Sequence, residues 1–176
     1  MDANTLYCEP MVTAFLSADP KVFVSPQYKL VLEPAGTDTD GRRKEEKLQW
    51  PDVVAVVPCQ DLAYLVEITI RATGYKPVAE KVAGYVRNKE MYLDLLNTEC
   101  GYKFRNLEPW VFLPKKFNET FQAHYAKVMD GKGLKRVTAL EIVAQPWKYL
   151  VKDRRIKDCL IDECCLGDCS TVTKPA

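Results

Sequence analysis

The chain is expected to fold as an α/β (α+β) domain, with a central mixed β-sheet flanked by helices. Three observations carry that expectation. Asp52-Val-Val-Ala-Val-Val57 is a short, continuous, β-branched apolar run, the pattern of a strand buried on both faces. Residues 62–70 then alternate, with Val66, Ile68 and Ile70 on one face and Glu67, Thr69 and Arg71 on the other. A helical pattern follows over 77–97, so strands and helices interleave as they do in a layered α/β domain.

A short helix is expected across 13–17, between Pro10 and Pro20. Residues 21–24 and 28–32 are rich in β-formers and are separated by Ser25-Pro26-Gln27, which predicts a hairpin. Residues 35–41 read as loop, and the charge run at 42–47 reads as exposed surface. Pro58-Cys59-Gln60-Asp61 turns the chain between the two central strands. The helix over 77–97 carries Pro77 in its first turn, and Val78, Val82, Tyr85, Val86, Leu93 and Leu96 form its core stripe. Lys81 lies at the edge of that stripe and points back towards the sheet. Residues 107–113 predict another strand, and 117–130 and 134–151 two more helices, broken at Gly131-Lys132-Gly133 with Pro146 as a kink or boundary. Trp110, Phe112, Phe117, Phe121 and Trp147 are assigned to core packing. His124 is placed at the surface or half-buried, without a catalytic task.

At 176 residues, the chain fits a single domain over 1–157 followed by an acidic, Cys-rich tail over 158–176. With 47% apolar and 28% charged residues, it has the composition of a soluble globular protein. There is no apolar span long enough for a membrane and no secretory pattern at the start, so no membrane partner and an intracellular location, cytoplasm or nucleus, are expected. The net charge is only +1, but its distribution is uneven. Residues 115–157 hold eleven Lys and Arg against four Asp and Glu, whereas 158–176 hold four acids and one lysine. Such an asymmetry marks either a phosphate-facing surface or a solvated helical face.

Seven cysteines, an odd number, argue for reduced thiols rather than a disulfide framework. Cys159, Cys164, Cys165 and Cys169 crowd the tail. Four thiolates are enough for tetrahedral zinc, but the tail has no CxxC pair and no histidine, so zinc is not expected there.

The chemistry concentrates in Asp52, Glu67 and Lys81. A carboxylate in the middle of a strand, beside a fully apolar neighbour strand, must meet a cation, a metal or solvent. Two such carboxylates suit a hard divalent cation, and a nearby ammonium suits the developing charge of phosphodiester cleavage. The same residues have a plainer explanation: Asp52 caps a turn after Pro51, and Glu67 forms an internal salt bridge with Lys81 or Lys76.

Pro51-Asp52, Glu67-Ile-Thr69 and Lys81 with Tyr85 resemble the active-site signature of the restriction-endonuclease-like superfamily. The pattern is most similar to the cap-snatching endonuclease domains of segmented negative-strand RNA viruses and to the restriction-like endonuclease domains of some retrotransposons. It covers roughly residues 50–115. The resemblance implies a nuclease-like domain and a Mg²⁺- or Mn²⁺-dependent endonuclease acting on RNA or DNA. It makes Asp52 and Glu67 metal ligands, the Ile68 carbonyl a third, and Lys81 the catalytic lysine. Lys115, Lys116, Lys132, Lys135 and Arg136 would then bind the nucleic-acid backbone. The chain departs from the pattern in two places. Thr69 stands where the superfamily commonly has its lysine, leaving a hydroxyl for the hydrogen-bond network. No histidine lies upstream of Pro51, so Glu45 or Glu46 are the substitutes nearest in sequence. A nuclease of this kind would be a free protein or one domain of a larger polymerase or element-encoded protein. The alternative is a catalytically inert domain of the same fold that binds nucleic acid or a protein.

Overall fold

The computed structural model describes residues 3–33, 36–37, 43–44, 47–71, 73 and 75–144. The chain is a mixed α/β fold built on a five-stranded sheet: β1 (Phe23–Pro26), β6 (Val53–Val57), β7 (Leu62–Ile68), β8 (Asn106–Leu113) and β9 (Val137–Ala139), neighbours in that order. β6 runs antiparallel to β1 and β7, while β7, β8 and β9 are parallel. Two small antiparallel pairs lie between β1 and β6 in sequence. One joins β2 (Leu30–Glu33) to β5 (Lys47–Gln49), and the other joins β3 (Gly36–Thr37) to β4 (Arg43–Lys44).

Both faces of the sheet are covered. On one side, Ala63, Leu65, Leu107, Val111 and Leu113 pack with α2 (Tyr75–Arg87), α3 (Lys89–Cys100) and α4 (Asn118–Val128). On the other, Tyr64, Val66, Ile68, Trp110 and Phe112 pack with α1 (Ala3–Ser17) and α5 (Leu140–Val143). Every residue of β7 is buried as a result, and the alternation expected over 62–70 holds, odd positions to one core and even positions to the other. Phe15 of α1 meets Phe112 edge-on at 5.9 Å between ring centroids, which keys α1 to the sheet.

Four expectations about elements need correction. The segments at 21–24 and 28–32 do not form a hairpin. Gln27 adopts a positive φ of 52° and donates its N–H to the Asp52 carbonyl at 2.8 Å. This turns the chain out of the main sheet, so β1 pairs with β6 and β2 with β5. The first helix is longer than 13–17 and runs through Pro10, which is exposed. The helix over 77–97 is two helices. Asn88 leaves helical geometry (φ −110°, ψ 31°) while its N–H and its side-chain amide both donate to the Gly84 carbonyl at 3.0 Å. Val86, within α2, is exposed rather than part of the core stripe. In place of a helix starting at 134, Val137-Thr138-Ala139 is a strand. It gains a ladder along Val111–Leu113, and Thr138 accepts a hydrogen bond from Trp110 Nε1 at 2.9 Å, so pairing outweighs helical propensity. Residues 145–176, with Trp147 and the four tail cysteines, lie outside the described residues, as do Glu45 and Glu46.

Candidate active site

β6 and β7 bring the two carboxylates together. Their antiparallel register pairs Val53 with Val66, so one step further along Asp52 stands opposite Glu67. The connection that sets this register is tight: Pro58 opens a single helical turn, and Asp61 closes it at φ 51°, its N–H donating to the Pro58 carbonyl at 3.0 Å. Asp52 Oδ2 accepts the Ile68 N–H at 2.6 Å, just where β7 outruns β6. Ile68 thus enters the site through its N–H. Asp52 caps backbone after all, but it caps β7 rather than its own turn.

Glu67 is only 2% exposed and shares its face of the sheet with Ala63 and Leu65, under α2. Lys81 and Tyr85, four residues apart on α2, project over one another on the same helical face. Lys81 Nζ reaches the Glu67 carboxylate at 2.7 Å and the Trp50 carbonyl at 2.6 Å. Tyr85 donates its hydroxyl to Glu67 Oε1 at 2.6 Å. The glutamate's partner is therefore Lys81, while Lys76 is exposed on the first turn of α2. Thr69 is buried, and its N–H donates to the Phe112 carbonyl at 2.9 Å.

The electrostatics follow from burial. Desolvation pushes the Glu67 carboxyl up to about 7, against the pull of Lys81 and with a further push from the Asp52 charge. Asp52 is also raised by burial, opposed by the Ile68 N–H and Lys81 and reinforced by Glu9 of α1. Burial and the Glu67 charge together hold the Tyr85 hydroxyl firmly protonated, as a donor.

Three contributors escaped the sequence. Tyr85 belonged to the motif but had no role assigned, although its spacing from Lys81 was a usable signal. Gln49, whose side chain acts on the Tyr85 hydroxyl, and Glu9, whose charge acts on Asp52, come from distant segments and left no signal. Gln27 links the two regions, its side-chain amide donating to Glu9 Oε2 at 3.4 Å and its N–H to the Asp52 carbonyl.

The five basic candidates separate into two groups. Glu67 is in register with Val111, and β8 ends at Leu113, so Lys115 and Lys116 leave the sheet at the same end as the carboxylates. Both are exposed, and Lys116 Nζ sits 4.7 Å above the Phe117 ring. Lys132, Lys135 and Arg136 precede β9 and lie towards the other end of β8. Arg136 is committed to Glu108 at 2.7 Å and lies over the Tyr64 and Trp110 rings. His124 is half-buried on α4.

Among the described residues, no group of three or more His, Cys, Asp or Glu side chains is arranged to hold a metal ion. Asp52 and Glu67 supply two carboxylates. That is compatible with magnesium, which is commonly held by one or two carboxylates, with waters and substrate phosphates completing its shell. No helix among the described residues is long and apolar enough to cross a membrane. Comparison with protein-family models, with curated proteins and with solved structures finds no match for this chain.

Proposed function

We propose that the chain is a Mg²⁺- or Mn²⁺-dependent endonuclease with Asp52, Glu67 and Lys81 at its centre. One observation carries this reading: two adjacent carboxylates, one almost fully buried, converge with a lysine at the end of the central strands. Burying like charges together is costly, and a divalent cation is one partner that would relieve it. When bound, the cation supplies a water of lowered pKa and a counter-charge for the phosphate. Asp52 would hold it through the oxygen not engaged by Ile68, and Glu67 would ionise to join it. Tyr85 and the Ile68 N–H hold the two carboxylates in place. Lys81 would orient the attacking water or donate to the scissile phosphate. Lys115 and Lys116 would meet the flanking phosphates. Trp50 is 49% exposed directly before Pro51, and its indole offers a surface on which an unpaired base would stack, which favours single-stranded substrate.

The 2.7 Å contact favours a second reading, in which Lys81 itself neutralises Glu67 and the domain binds nucleic acid or a protein without cleaving anything. Calorimetric titration of Mn²⁺ into wild type, Asp52→Ala and Glu67→Ala separates the two. Binding that both substitutions remove, accompanied by metal-dependent cleavage of RNA or DNA, supports the nuclease. Absence of binding, or binding indifferent to both changes, leaves the inert domain.

A further inference from the structure

We infer that a second cavity, towards the other end of β8 from the carboxylates, is a binding site for a nucleoside phosphate. The cavity measures about 270 Å³ and lies where α2, β8, α4 and the segment before β9 meet. Its floor includes Leu107 and Pro109, which pair with Ala63 and Leu65, whereas Val111 pairs with Glu67. Leu107 and Val111 are thus separated by about 13 Å of strand. The inference does not depend on the metal chemistry proposed above.

The opening is a product of topology. β9 pairs only with Val111–Leu113, so among the described residues the first half of β8 has no strand on that side. Pro109 suits such an edge because it has no N–H to leave unpaired. The walls are fixed before any ligand arrives. The Gln122 side-chain amide bonds both the carbonyl and the N–H of Leu134, at 2.8 and 2.9 Å. The Arg87 guanidinium ties the last turn of α4 to α2 through the Val128 carbonyl. A preformed pocket spares its ligand much of the ordering cost of binding.

Three chemistries meet in this space. Leu107, Pro109, Tyr125 and Met129 make an apolar slot, and Val86 stands exposed at its rim. Lys132 and Lys135 are exposed on the wall, and neither is paired with an acid among the described residues. Arg136 and Lys89 also line the cavity but are bonded to Glu108 and Asn106. Glu108 gives Oε2 to Arg136, whereas its Oε1 has only a 3.5 Å contact with the Asn106 amide and keeps room to accept. A bare phosphate would leave the slot unused, and a purely apolar molecule would leave the lysines unused. A flat base with amino or hydroxyl donors and a phosphate engages all three.

The test follows amide shifts of the isotope-labelled full chain as adenosine 5′-monophosphate, adenosine or inorganic phosphate is added. The monophosphate is expected to give saturable shifts at Leu107, Met129 and Leu134. Adenosine and phosphate alone should each bind about tenfold more weakly or worse, the loss expected for a missing charged hydrogen bond or a missing apolar contact. Lys132→Glu with Lys135→Glu, both at exposed positions, should weaken the monophosphate by a similar factor, while Glu67→Gln leaves it unchanged. Shifts absent from these three residues, phosphate binding as tightly as the monophosphate, or loss of binding in Glu67→Gln would each overturn the assignment.

Discussion

Lys81 Nζ lies 2.7 Å from the Glu67 carboxylate and 2.6 Å from the Trp50 carbonyl, so one ammonium ties α2 to β7 and to the segment that leads into β6. Without a metal, that contact neutralises a buried acid. In the proposed nuclease, the same ammonium would donate to the water or the scissile phosphate. The ion pair and the proposed chemistry are separable by mutation and by pH.

Lys81→Met should destabilise the fold by about 3 kcal/mol at pH 8, because it strands a buried carboxylate. The low end of the usual range is expected, since the Lys81 side chain is 27% exposed. In a Glu67→Gln background the same change should cost much less. Urea unfolding of all four proteins gives the coupling directly, and equal costs in both backgrounds would rule out the pairing.

Stability should fall as pH rises from about 4.5 to about 7. The Glu67 carboxyl is raised from 4.5 to about 7 in the folded chain. Between those values the folded state therefore binds more protons than the unfolded state. The stabilising contribution is complete below the lower value and is lost through the upper one. Thermal melts across this range should show the decline, and Glu67→Gln should flatten it. A Glu67→Gln profile identical to wild type would contradict the assignment. Mn²⁺ affinity should rise over the same interval, because binding must displace the Glu67 proton.

Tyr85→Phe removes the hydroxyl that donates to Glu67 Oε1 and should cost about 2 kcal/mol at pH 8, where Glu67 is ionised. The carboxyl midpoint should move further up, since a bond to its charged form has gone. Carbon-detected titration of Glu67 reads that shift, and a midpoint that stays put or falls would refute it.

Trp50→Ala should leave stability within about 0.5 kcal/mol, as expected for a half-exposed side chain with no core role. Binding of a short single-stranded oligonucleotide should weaken about tenfold, the loss of one base-stacking contact. Fluorescence anisotropy measures this, with a duplex of the same sequence as the comparison. Unchanged single-strand affinity would remove Trp50 from the substrate path.

Much of the scaffold was legible from local patterns. The β-branched run at Val53–Val57 and the period of two through β7 depend only on which residues water rejects, and both appear where expected. The spacing of Lys81 and Tyr85 on one helical face was equally local. The misread elements were decided by specific hydrogen bonds, long-range at Gln27 and β9 and local at Asn88. Gln27 turns at a left-handed φ towards the Asp52 carbonyl, Asn88 gives two donors to Gly84, and Val137-Thr138-Ala139 finds the free edge of β8.

The amino-acid order alone pointed to an acid at 52 at the mouth of one strand, an acid at 67 within the next and a lysine at 81 on a helix. Only the tertiary structure decided that they meet. The register of β6 on β7 sets Asp52 opposite Glu67, and the packing of α2 on that face brings Lys81 and Tyr85 onto a single carboxylate. It also drew in Glu9 and Gln49, and sent Lys115 and Lys116 towards the site but Lys132 and Lys135 to the cavity. The physical reason is that hydrophobic periodicity is written into neighbouring residues. Charge pairing, desolvation and cavity walls instead arise between residues that become neighbours only when the chain has folded.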